Sequence, residues 1–279
     1  MAIPTTRLPS GEAVPRFGLG TWRMGENARL RKDEVAALRA GLDLGVTLID
    51  TAEMYGDGGA EEIVAEAVGE RRDDIFIVSK VLPSNASARG TIAACERSLK
   101  RLRTDRIDLY LLHWRGDTPL EQTLEAFLTL AGAGKIRHWG VSNFDLSDMK
   151  ELAELPAGDG CATNQVLYNL TRRGIEFDLL PWQRARRIPT MAYSPIEQGR
   201  MLNHVELKKI AAGRGVSAAQ VALAWLLRQP DMLVIPKTTS LAHLRDNAAA
   251  ADLTLTADDL AALDRAFPPP KKASPLSML

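Results

Sequence analysis

Four side chains in this sequence have the types and the placement that proton transfer needs. Asp50, Lys80 and His113 each follow an apolar run of strand length, and Tyr55 lies five residues beyond Asp50 in a Gly-rich segment. A tyrosine hydroxyl ordinarily has a pKa of about 10, so a general acid made from it needs that pKa lowered, and a neighbouring cation does this. We therefore expect Lys80 beside Tyr55, Asp50 as counter-charge of the buried lysine, and His113 holding a carbonyl oxygen near the tyrosine hydroxyl.

Each of these residues also has an ordinary structural explanation when it is taken alone. Asp50 can begin a turn while Tyr55 packs on a rim, or Asp50 can form a plain ion pair with Lys80. A lone His113 is more often a buried histidine whose hydrogen bonds are satisfied. The four residues together, on adjacent predicted strands, favour chemistry over these explanations.

The elements that must carry these residues alternate between strand and helix. Strands are predicted at residues 17–21, 46–49, 75–79, 107–112, 139–142, 162–166, 189–193 and 233–235. Helices are predicted at residues 33–44, 61–68, 88–102, 120–131, 146–155, 178–186, 204–214, 217–228, 241–250 and 257–266. The alternation is typical of βα units and a parallel sheet. Because 279 residues show no break in composition, we expect one domain over residues 1–279, an α/β fold of the (β/α)₈ TIM barrel type.

Two further predictions concern the two ends of the chain. A Pro-Ser-Gly turn between short extended pieces at residues 6–14 predicts an N-terminal β-hairpin cap, and residues 257–266 are an extra C-terminal helix. An open sheet that binds a dinucleotide would normally carry Gly-x-Gly-x-x-Gly after its first strand. Residues 18–23, Gly-Leu-Gly-Thr-Trp-Arg, lack the third glycine, which favours the barrel.

The composition argues against several classes of function. Lys plus Arg and Asp plus Glu both number 35, so the net charge is zero and gives no indication of a nucleic-acid partner or an anionic membrane surface. No apolar stretch has the length of a signal-peptide core or a transmembrane helix. Cys95 and Cys161 match no metal or redox spacing, so we expect reduced thiols in a cytoplasmic protein and no metal site. We also expect a monomer that acts on a small molecule.

Polar or ionisable residues follow nearly every predicted strand. The active site of a (β/α)₈ barrel lies at the C-terminal ends of its strands, where these residues would meet. Besides the first four, the residues at these ends are Thr21, Trp22, Trp114, Ser142, Asn143, Gln165, Tyr193, Ser194 and Lys237. Turn chemistry would explain one or two such endings, but not a polar group after almost every strand.

Four stretches resemble motifs of the aldo-keto reductase family, in the form of a bacterial-type member with short loops. They are Gly-Val-Thr-Leu-Ile-Asp-Thr-Ala-Glu-Met-Tyr-Gly at 45–56, residues 99–114 with their Leu-Leu-His-Trp ending, Gly-Lys-Ile-Arg-His-Trp-Gly-Val-Ser-Asn-Phe at 134–144, and Ile-Pro-Lys at 235–237. The resemblance implies a TIM barrel that binds NADPH across its top and reduces aldehydes or ketones to alcohols by hydride transfer. It places the family's catalytic tetrad on Asp50, Tyr55, Lys80 and His113, with Tyr55 as proton donor.

The resemblance also implies which residues bind the cofactor. Ser142, Asn143 and Gln165 would hold the nicotinamide carboxamide, for which their amide and hydroxyl groups are suited, and Tyr193 would stack on the ring. The full set implied is Gly20, Thr21, Trp22, Asp50, Ser142, Asn143, Gln165, Tyr193, Ser194, Ile196, Gln198, Gly199, Ile235, Lys237, Thr238, His243 and Asn247.

The phosphate positions include one departure from the family pattern. Residues 194–199 would follow the pyrophosphate, and Lys237 with Thr238, ahead of the last barrel helix, would bind the 2′-phosphate. His243 stands where many members place an arginine beside this phosphate, and Arg245 lies two residues further on. We expect NADPH, with NADH as the less favoured cofactor.

The resemblance also predicts an open substrate pocket. The segment between residues 113 and 139 and the tail after residue 267 are both short, so the long loops of larger family members are missing. The pocket would be lined by Trp22, Met54, Tyr55, His113 and Trp114, which suits small reactive, dicarbonyl or aromatic aldehydes.

Two other functions remain open at this point. The first is an aldolase on the same barrel that uses Lys80 as a Schiff base, although pairing with Asp50 would keep that lysine protonated. The second is a non-catalytic protein of the same fold that binds NADP(H) as a sensed ligand.

Overall fold

An antiparallel hairpin precedes the barrel and closes its lower end. The computed structural model describes residues 3–279, so residues 1 and 2 of the predicted 1–279 domain lie outside the described part. The hairpin strands are β1 (Thr5–Arg7) and β2 (Ala13–Pro15). Leu8 and Val14 are buried among the side chains that fill the barrel. The predicted cap is therefore present, and it also contributes two residues to the core.

Eight parallel strands form the barrel. They are β3 (Gly18–Gly20), β4 (Leu48–Asp50), β5 (Phe76–Val81), β6 (Ile107–Leu112), β7 (Ile136–Ser142), β8 (Asn164–Leu167), β9 (Thr190–Tyr193) and β10 (Met232–Val234). Each strand pairs with the next in chain order. A parallel bridge between Phe17 and Val234, with a 3.1 Å hydrogen bond from the Gly20 amide to the Pro236 carbonyl, joins the last strand to the first. The predicted (β/α)₈ fold is confirmed.

Ten helices surround or follow the strands in the described residues 3–279. They are α1 (Arg31–Asp43), α2 (Gly59–Val68), α3 (Ala88–Leu102), α4 (Leu120–Gly132), α5 (Leu146–Glu154), α6 (Leu179–Ala185), α7 (Val205–Arg214), α8 (Ala218–Leu227), α9 (Leu241–Ala249) and α10 (Ala257–Ala266). Capping boxes begin three of them, with Asp145, Ser217 and Thr256 as the N-cap residues. The last, α10, is the predicted extra helix.

Apolar side chains alternate between two cores because successive residues of a strand point to opposite faces. Leu48, Val78 and Leu111 belong to the inner core, inside the barrel. Their neighbours Ile77 and Tyr110 belong to the outer core, between the strands and the helices. A charged residue on the inner face therefore has no route to bulk water except through the open end of the barrel.

Several strand boundaries differ from the predicted ones by one to three residues. β5 continues to Val81, so Lys80 lies within the strand and not just past it. β4 likewise ends with Asp50, and β7 begins at Ile136, three residues before the predicted residue 139. The predictions followed apolar runs, whereas a strand is defined by its backbone hydrogen bonds. These hydrogen bonds continue through a charged residue such as Lys80, whose side chain is paired.

Two further sequence expectations can be compared with the structure. Among residues 3–279 no single helix is long and apolar enough to cross a membrane, and α7 with α8 has that length and composition only as a pair bent by 91°. Cys95 and Cys161 are free thiols, and burial raises the pKa of each to about 12.

Gly140 on β7 tests how tightly the barrel interior is packed. A Cβ at this position would lie 2.6 Å from the Thr163 carbonyl oxygen and 3.0 Å from a methyl carbon of Leu111. We expect Gly140→Ala to lower the free energy of unfolding by about 1–3 kcal/mol, because the backbone carbonyl cannot move away. Gly213→Ala in α7, where nothing lies within 4 Å, should instead raise it by about 0.5–1 kcal/mol. Urea unfolding measures both, and equal stabilities would contradict the prediction.

Candidate active site

A buried ion pair lies at the upper end of the barrel. The Lys80 ammonium donates hydrogen bonds of 2.8 Å to both carboxylate oxygens of Asp50 and to the Thr51 carbonyl. Asp50 is in register with Val78, two residues before Lys80, so the two charged side chains leave neighbouring strands on the same face. The Lys80 side chain is 0% exposed and that of Asp50 is 3% exposed. The predicted pairing of these two residues is present.

Burial and mutual attraction act in opposite directions on this pair. Burial raises the pKa of Asp50, while the nearby Lys80 ammonium and a hydrogen bond from Gln165 pull it back down. Burial lowers the pKa of Lys80, and attraction to Asp50 and Glu61 opposes that change. Each charge therefore depends on the other, because either one alone in this interior would be neutralised.

Tyr55 reaches the pair from the loop that follows β4. Its hydroxyl oxygen lies 3.4 Å from the Lys80 nitrogen, and that nitrogen lies 4.9 Å from the centroid of the tyrosine ring. Burial, followed by the negative charge of Asp50, raises the pKa of Tyr55 well above its ordinary value. The prediction that Lys80 would lower this pKa is wrong for the free protein, because Asp50 neutralises the lysine and burial penalises the phenolate. Tyr55 therefore holds its proton throughout the physiological range.

His113 completes the group at the end of β6. Its ring meets that of Tyr55 edge to face, with 5.8 Å between centroids, and lies 4.9 Å from the Trp114 ring. Burial, and secondarily the Lys80 charge, lowers the pKa of His113 to about 3. The imidazole is therefore neutral and carries one N–H. Its Nδ1 atom is buried and has no hydrogen-bond partner within residues 3–279.

Amide side chains on the next strands are connected to these four residues. The Gln165 amide nitrogen donates to Asp50 Oδ1 at 2.7 Å, whereas its Oε1 atom makes no hydrogen bond in the described chain. Asn143 has a left-handed backbone, with φ of 56°, and its amide donates to the His113 carbonyl at 3.1 Å. Tyr193 donates to Asn143 Oδ1 at 2.9 Å. Ser142 donates to the Gln165 carbonyl at 2.8 Å. The residues predicted to hold a carboxamide thus lie together beside the ion pair.

The loop after β9 has an unusual backbone. Four of the six residues from 194 to 199 have positive φ, with values of 46° at Ser194, 49° at Glu197, 55° at Gln198 and 85° at Gly199. Ile196, also in this loop, is partly buried. The Glu197 and Gly199 amides donate to the Ser194 and Ile196 carbonyls at 2.9 and 2.8 Å, so the loop is built of tight turns, a kind of backbone that can line an anion site.

The predicted phosphate-binding residues lie at the start of α9. Lys237 is exposed there, and the Thr238 hydroxyl accepts a hydrogen bond from the Ser240 amide. The Ser240 hydroxyl in turn caps α9 by accepting from the His243 amide. On the helix itself His243 is exposed and Asn247 is buried. The Lys237 ammonium precedes the N-terminus of α9, and no acidic residue lies in the first turn of that helix, which suits an anion.

Close backbone contact joins the start and the end of the barrel next to this helix. A Cβ on Gly20 would lie 2.7 Å from the Ile235 carbonyl oxygen. The Thr21 hydroxyl donates to the Asp50 carbonyl at 2.9 Å. Gly20, Thr21 and Ile235 therefore link the predicted phosphate site to the buried ion pair.

Apolar side chains surround the approach to the site. Trp22 and Met54 are 37% and 39% exposed, and Trp114 is partly buried. The Leu279 backbone, at the end of the tail after residue 267, acts on Tyr193, where it opposes the rise in the pKa to about 12 that burial causes. A separate cavity of about 310 Å³ lies between the starts of α5 and α6 and residues 274–277, and no tetrad residue lines it.

A model of the aldo/keto reductase family matches residues 16–267. The chain belongs to the aldo/keto reductase family. It is 53% identical over 272 residues to methylglyoxal reductase YeaE of Escherichia coli (strain K12), covering 96% of this chain and 96% of that protein. It is 34% identical to glyoxal reductase of Bacillus subtilis (strain 168), covering 93% of this chain and 91% of that protein.

The fold matches that of a solved aldo-keto reductase from Klebsiella pneumoniae in complex with NADPH. The TM-score is 0.97 with 52% sequence identity, and the match covers 100% of both chains. A second structure of an aldo/keto reductase from that organism, in complex with NADP and acetate, matches equally well.

Sequence reasoning missed several charged residues that support this aldo/keto reductase site. The buried Glu61 and the partly exposed Arg101 form an ion pair behind Lys80. Glu197, in the loop after β9, accepts hydrogen bonds from Arg172 and Arg200. Periodicity could not reveal them, because charged residues on helices and loops normally face water.

The low pKa of His113 makes stability depend on pH. The unfolded chain binds a proton at His113 near the ordinary histidine pKa of 6.5, whereas the folded protein does so only at a pKa of about 3. The stability that this histidine contributes is therefore complete above about pH 6.5 and is lost as the pH falls toward 3. We expect wild type to lose about 2 kcal/mol more than His113→Asn between pH 7 and pH 5, at about 1.36 kcal/mol per unit. Equal losses in urea unfolding would contradict this.

Proposed function

We propose that this protein reduces aldehydes and ketones to alcohols with NADPH, and that Tyr55 is the proton donor. The observation that carries the proposal is the position of the Tyr55 hydroxyl, 3.4 Å from a lysine that is buried and paired with Asp50. A protonated phenol, a cation beside it and a neutral imidazole next to its ring form a site that can deliver one proton to an oxygen.

The reaction needs one hydride and one proton. Bound NADPH supplies the hydride, with its two electrons, to the carbonyl carbon. Tyr55 breaks its O–H bond and gives that proton to the carbonyl oxygen, which completes the alcohol. The Lys80 ammonium stabilises the resulting phenolate until a proton from solvent replaces the one that was lost. The neutral His113 donates its N–H to the same carbonyl oxygen and orients the substrate.

The described residues suit a nicotinamide nucleotide. Gln165 Oε1, without a partner in the described chain, can accept from a carboxamide N–H group. The Asn143 amide is linked to the same residue through the Ser142 hydroxyl, which accepts from Asn143 and donates to the Gln165 carbonyl. The left-handed loop at 194–199 can hold a pyrophosphate. Lys237, exposed at the start of α9, can pair with a 2′-phosphate.

Small dicarbonyl compounds are the substrates that we propose, with aromatic aldehydes as a second group. The proposal is supported by the relatives named as methylglyoxal and glyoxal reductases, and by the partly exposed Trp22, Met54 and Trp114. Apolar walls with few polar groups favour a small carbonyl compound. We also propose that the enzyme acts as a monomer in the cytoplasm, and sedimentation of the purified chain tests its monomeric state.

An aldolase that uses Lys80 as a Schiff base is disfavoured by the geometry. A nucleophilic lysine needs a free lone pair and room for a carbonyl carbon at its nitrogen. The Lys80 side chain is 0% exposed, and its three donors face Asp50 and the Thr51 carbonyl. Borohydride in the presence of a carbonyl substrate should therefore leave the mass of the protein unchanged.

Removing one hydroxyl tests the proposed proton donor. We expect Tyr55→Phe to lower kcat for NADPH oxidation with methylglyoxal by about 10²–10⁴-fold, since that is the usual contribution of a positioned general acid. NADPH affinity, measured by fluorescence titration, should change little. Tyr110→Phe is the matched control, because Tyr110 is fully buried on the outer face of β6 and should leave kcat unchanged.

The other outcomes of this assay are equally informative. Unchanged turnover by Tyr55→Phe would remove the tyrosine from the mechanism. NADPH binding by wild type without turnover of any aldehyde in a panel would favour the alternative, a non-catalytic NADP(H) sensor of the same fold.

The preference for NADPH over NADH tests whether Lys237, ahead of α9, binds the 2′-phosphate. We expect Lys237→Met to raise the KM for NADPH about 10- to 100-fold, since a hydrogen bond to a charged group contributes about 1.5–3 kcal/mol. The KM for NADH, which lacks the 2′-phosphate, should not change. Arg245→Met and His243→Asn are the comparison variants, and a larger loss in either of them would assign the phosphate to that side chain instead.

A further inference from the structure

The loop that carries Tyr55 has an unusual, left-handed backbone. Three consecutive residues after the tyrosine are left-handed, with φ of 57° at Gly56, 54° at Asp57 and 90° at Gly58. Glycine adopts this conformation readily, whereas an L-residue such as Asp57 does so rarely, and the N-cap of α2 is Gly58, which has no side chain to form a cap. Contacts from the surrounding structure therefore help to fix this loop, and with it the position of the Tyr55 hydroxyl.

Arg101, at the end of α3, lies directly against this loop. A Cβ on Gly58 would lie 2.5 Å from both Cδ and Nε of Arg101, so only glycine lets the arginine approach so closely. The Arg101 Nε donates to Glu61 at 2.6 Å, and its Nη2 donates to Ser98 at 3.2 Å. The guanidinium is thus held in one place from two sides.

Glu61 carries this contact onward to the strand of Lys80. Its carboxylate is 0% exposed, and its second oxygen accepts a hydrogen bond of 2.6 Å from the Ser79 hydroxyl. Ser79 immediately precedes Lys80 on β5, and its side chain leaves the opposite face of the strand. A continuous set of contacts therefore runs from the Tyr55 loop through Arg101 and Glu61 to Ser79, the residue next to Lys80.

We propose that Arg101, Glu61 and Ser79 are positioning residues that fix the distance between the Tyr55 hydroxyl and the Lys80 ammonium. None of them touches the reacting atoms. The inference rests on the proposed function, in which Tyr55 is the proton donor. The links from Arg101 through Glu61 to Ser79 are directional hydrogen bonds between two helices and a strand, and the Tyr55 loop joins them through the close packing of Gly58 on Arg101.

The charge of Glu61 adds a second effect on the same site. Burial lowers the pKa of Lys80, and the negative charges of Asp50 and Glu61 oppose this. Asp50 acts from the inner face and Glu61 from behind the strand, so the ammonium lies between two carboxylates. Replacing Glu61 should therefore move the Lys80 ammonium relative to Tyr55 and also make its positive charge less favourable.

The main test uses a pair of variants that separates position from stability. Arg101→Met alone leaves the buried Glu61 carboxylate with the Ser79 hydroxyl but without its cation, and should destabilise the protein strongly. The double variant Glu61→Gln/Arg101→Met removes both charges, so its thermal midpoint should recover most of the loss. We expect kcat of the double variant to remain about 10- to 100-fold below wild type, which is the usual cost of a small misplacement of a reacting group. Recovery of kcat together with stability would overturn the proposal.

Two further measurements locate the effect in the chemical step. NADPH affinity should stay within about twofold of wild type, and the isotope effect on kcat with NADPH deuterated at the transferred hydrogen should be at least as large as in wild type. A smaller isotope effect would place the slow step outside hydride transfer and overturn the proposal. Ser79→Ala, which removes one neutral hydrogen bond, should show the same pattern at smaller amplitude, and Arg101→Lys should restore part of kcat.

Controls distinguish this inference from the proposed function beneath it. Glu62→Gln, one residue after Glu61 on α2, removes an exposed ion pair with Arg31 of α1 and should leave kcat unchanged. Tyr55→Phe is measured alongside. Turnover by Tyr55→Phe would refute the proton donor itself, whereas loss in Tyr55→Phe with full activity in the double variant would refute only the positioning role.

Discussion

The buried pair of Lys80 and Asp50 is the interaction on which the rest of the site depends. Placing two charges in a protein interior costs several kcal/mol for each ion, and only excellent geometry offsets that cost. Here the ammonium donates to both oxygens of Asp50 and to the Thr51 carbonyl, with the Tyr55 hydroxyl as a longer contact, and Gln165 also donates to Oδ1 of the carboxylate. Such geometry needs two strands in fixed register, which a closed barrel provides because no strand can slide without breaking the ladder on both sides.

This pair also explains why a tyrosine with a raised pKa suits the proposed reaction. The phenol must keep its proton until the hydride reaches the carbonyl carbon, and the oxygen then becomes far more basic than a phenolate. Burial keeps Tyr55 protonated before that moment, and Lys80 is close enough to stabilise the phenolate afterwards. The cation thus acts mainly after the proton has left, so a lowered pKa in the free protein is not required.

The sequence predicted the fold and the members of the site better than it predicted their electrostatics. Apolar periodicity found all eight barrel strands, because alternating inner and outer cores impose it. It placed Lys80 just after a strand that in fact continues to Val81, since an apolar run ends where a charge begins. The direction of the Tyr55 pKa shift was wrong because burial of a loop residue depends on contacts from other elements. Glu61 and Arg101, forty residues apart, gave no signal for the same reason.

Two loops at the top of the barrel share the same two structural features. The segment after Tyr55 and the segment 194–199 both contain several left-handed residues, and a buried glutamate anchors each of them. Glu61 pairs with Arg101, and Glu197, only 4% exposed, binds Asn169 and two arginines. Hydrogen bonds from those partners lower the pKa of Glu197 despite its burial. A strained loop must be held in one conformation by its neighbours. A buried carboxylate can do this, because moving away from its partners would leave an unpaired charge in the interior. The left-handed residues therefore lie where proton transfer and phosphate binding are proposed. The charged groups that hold these loops do not contact the reacting atoms.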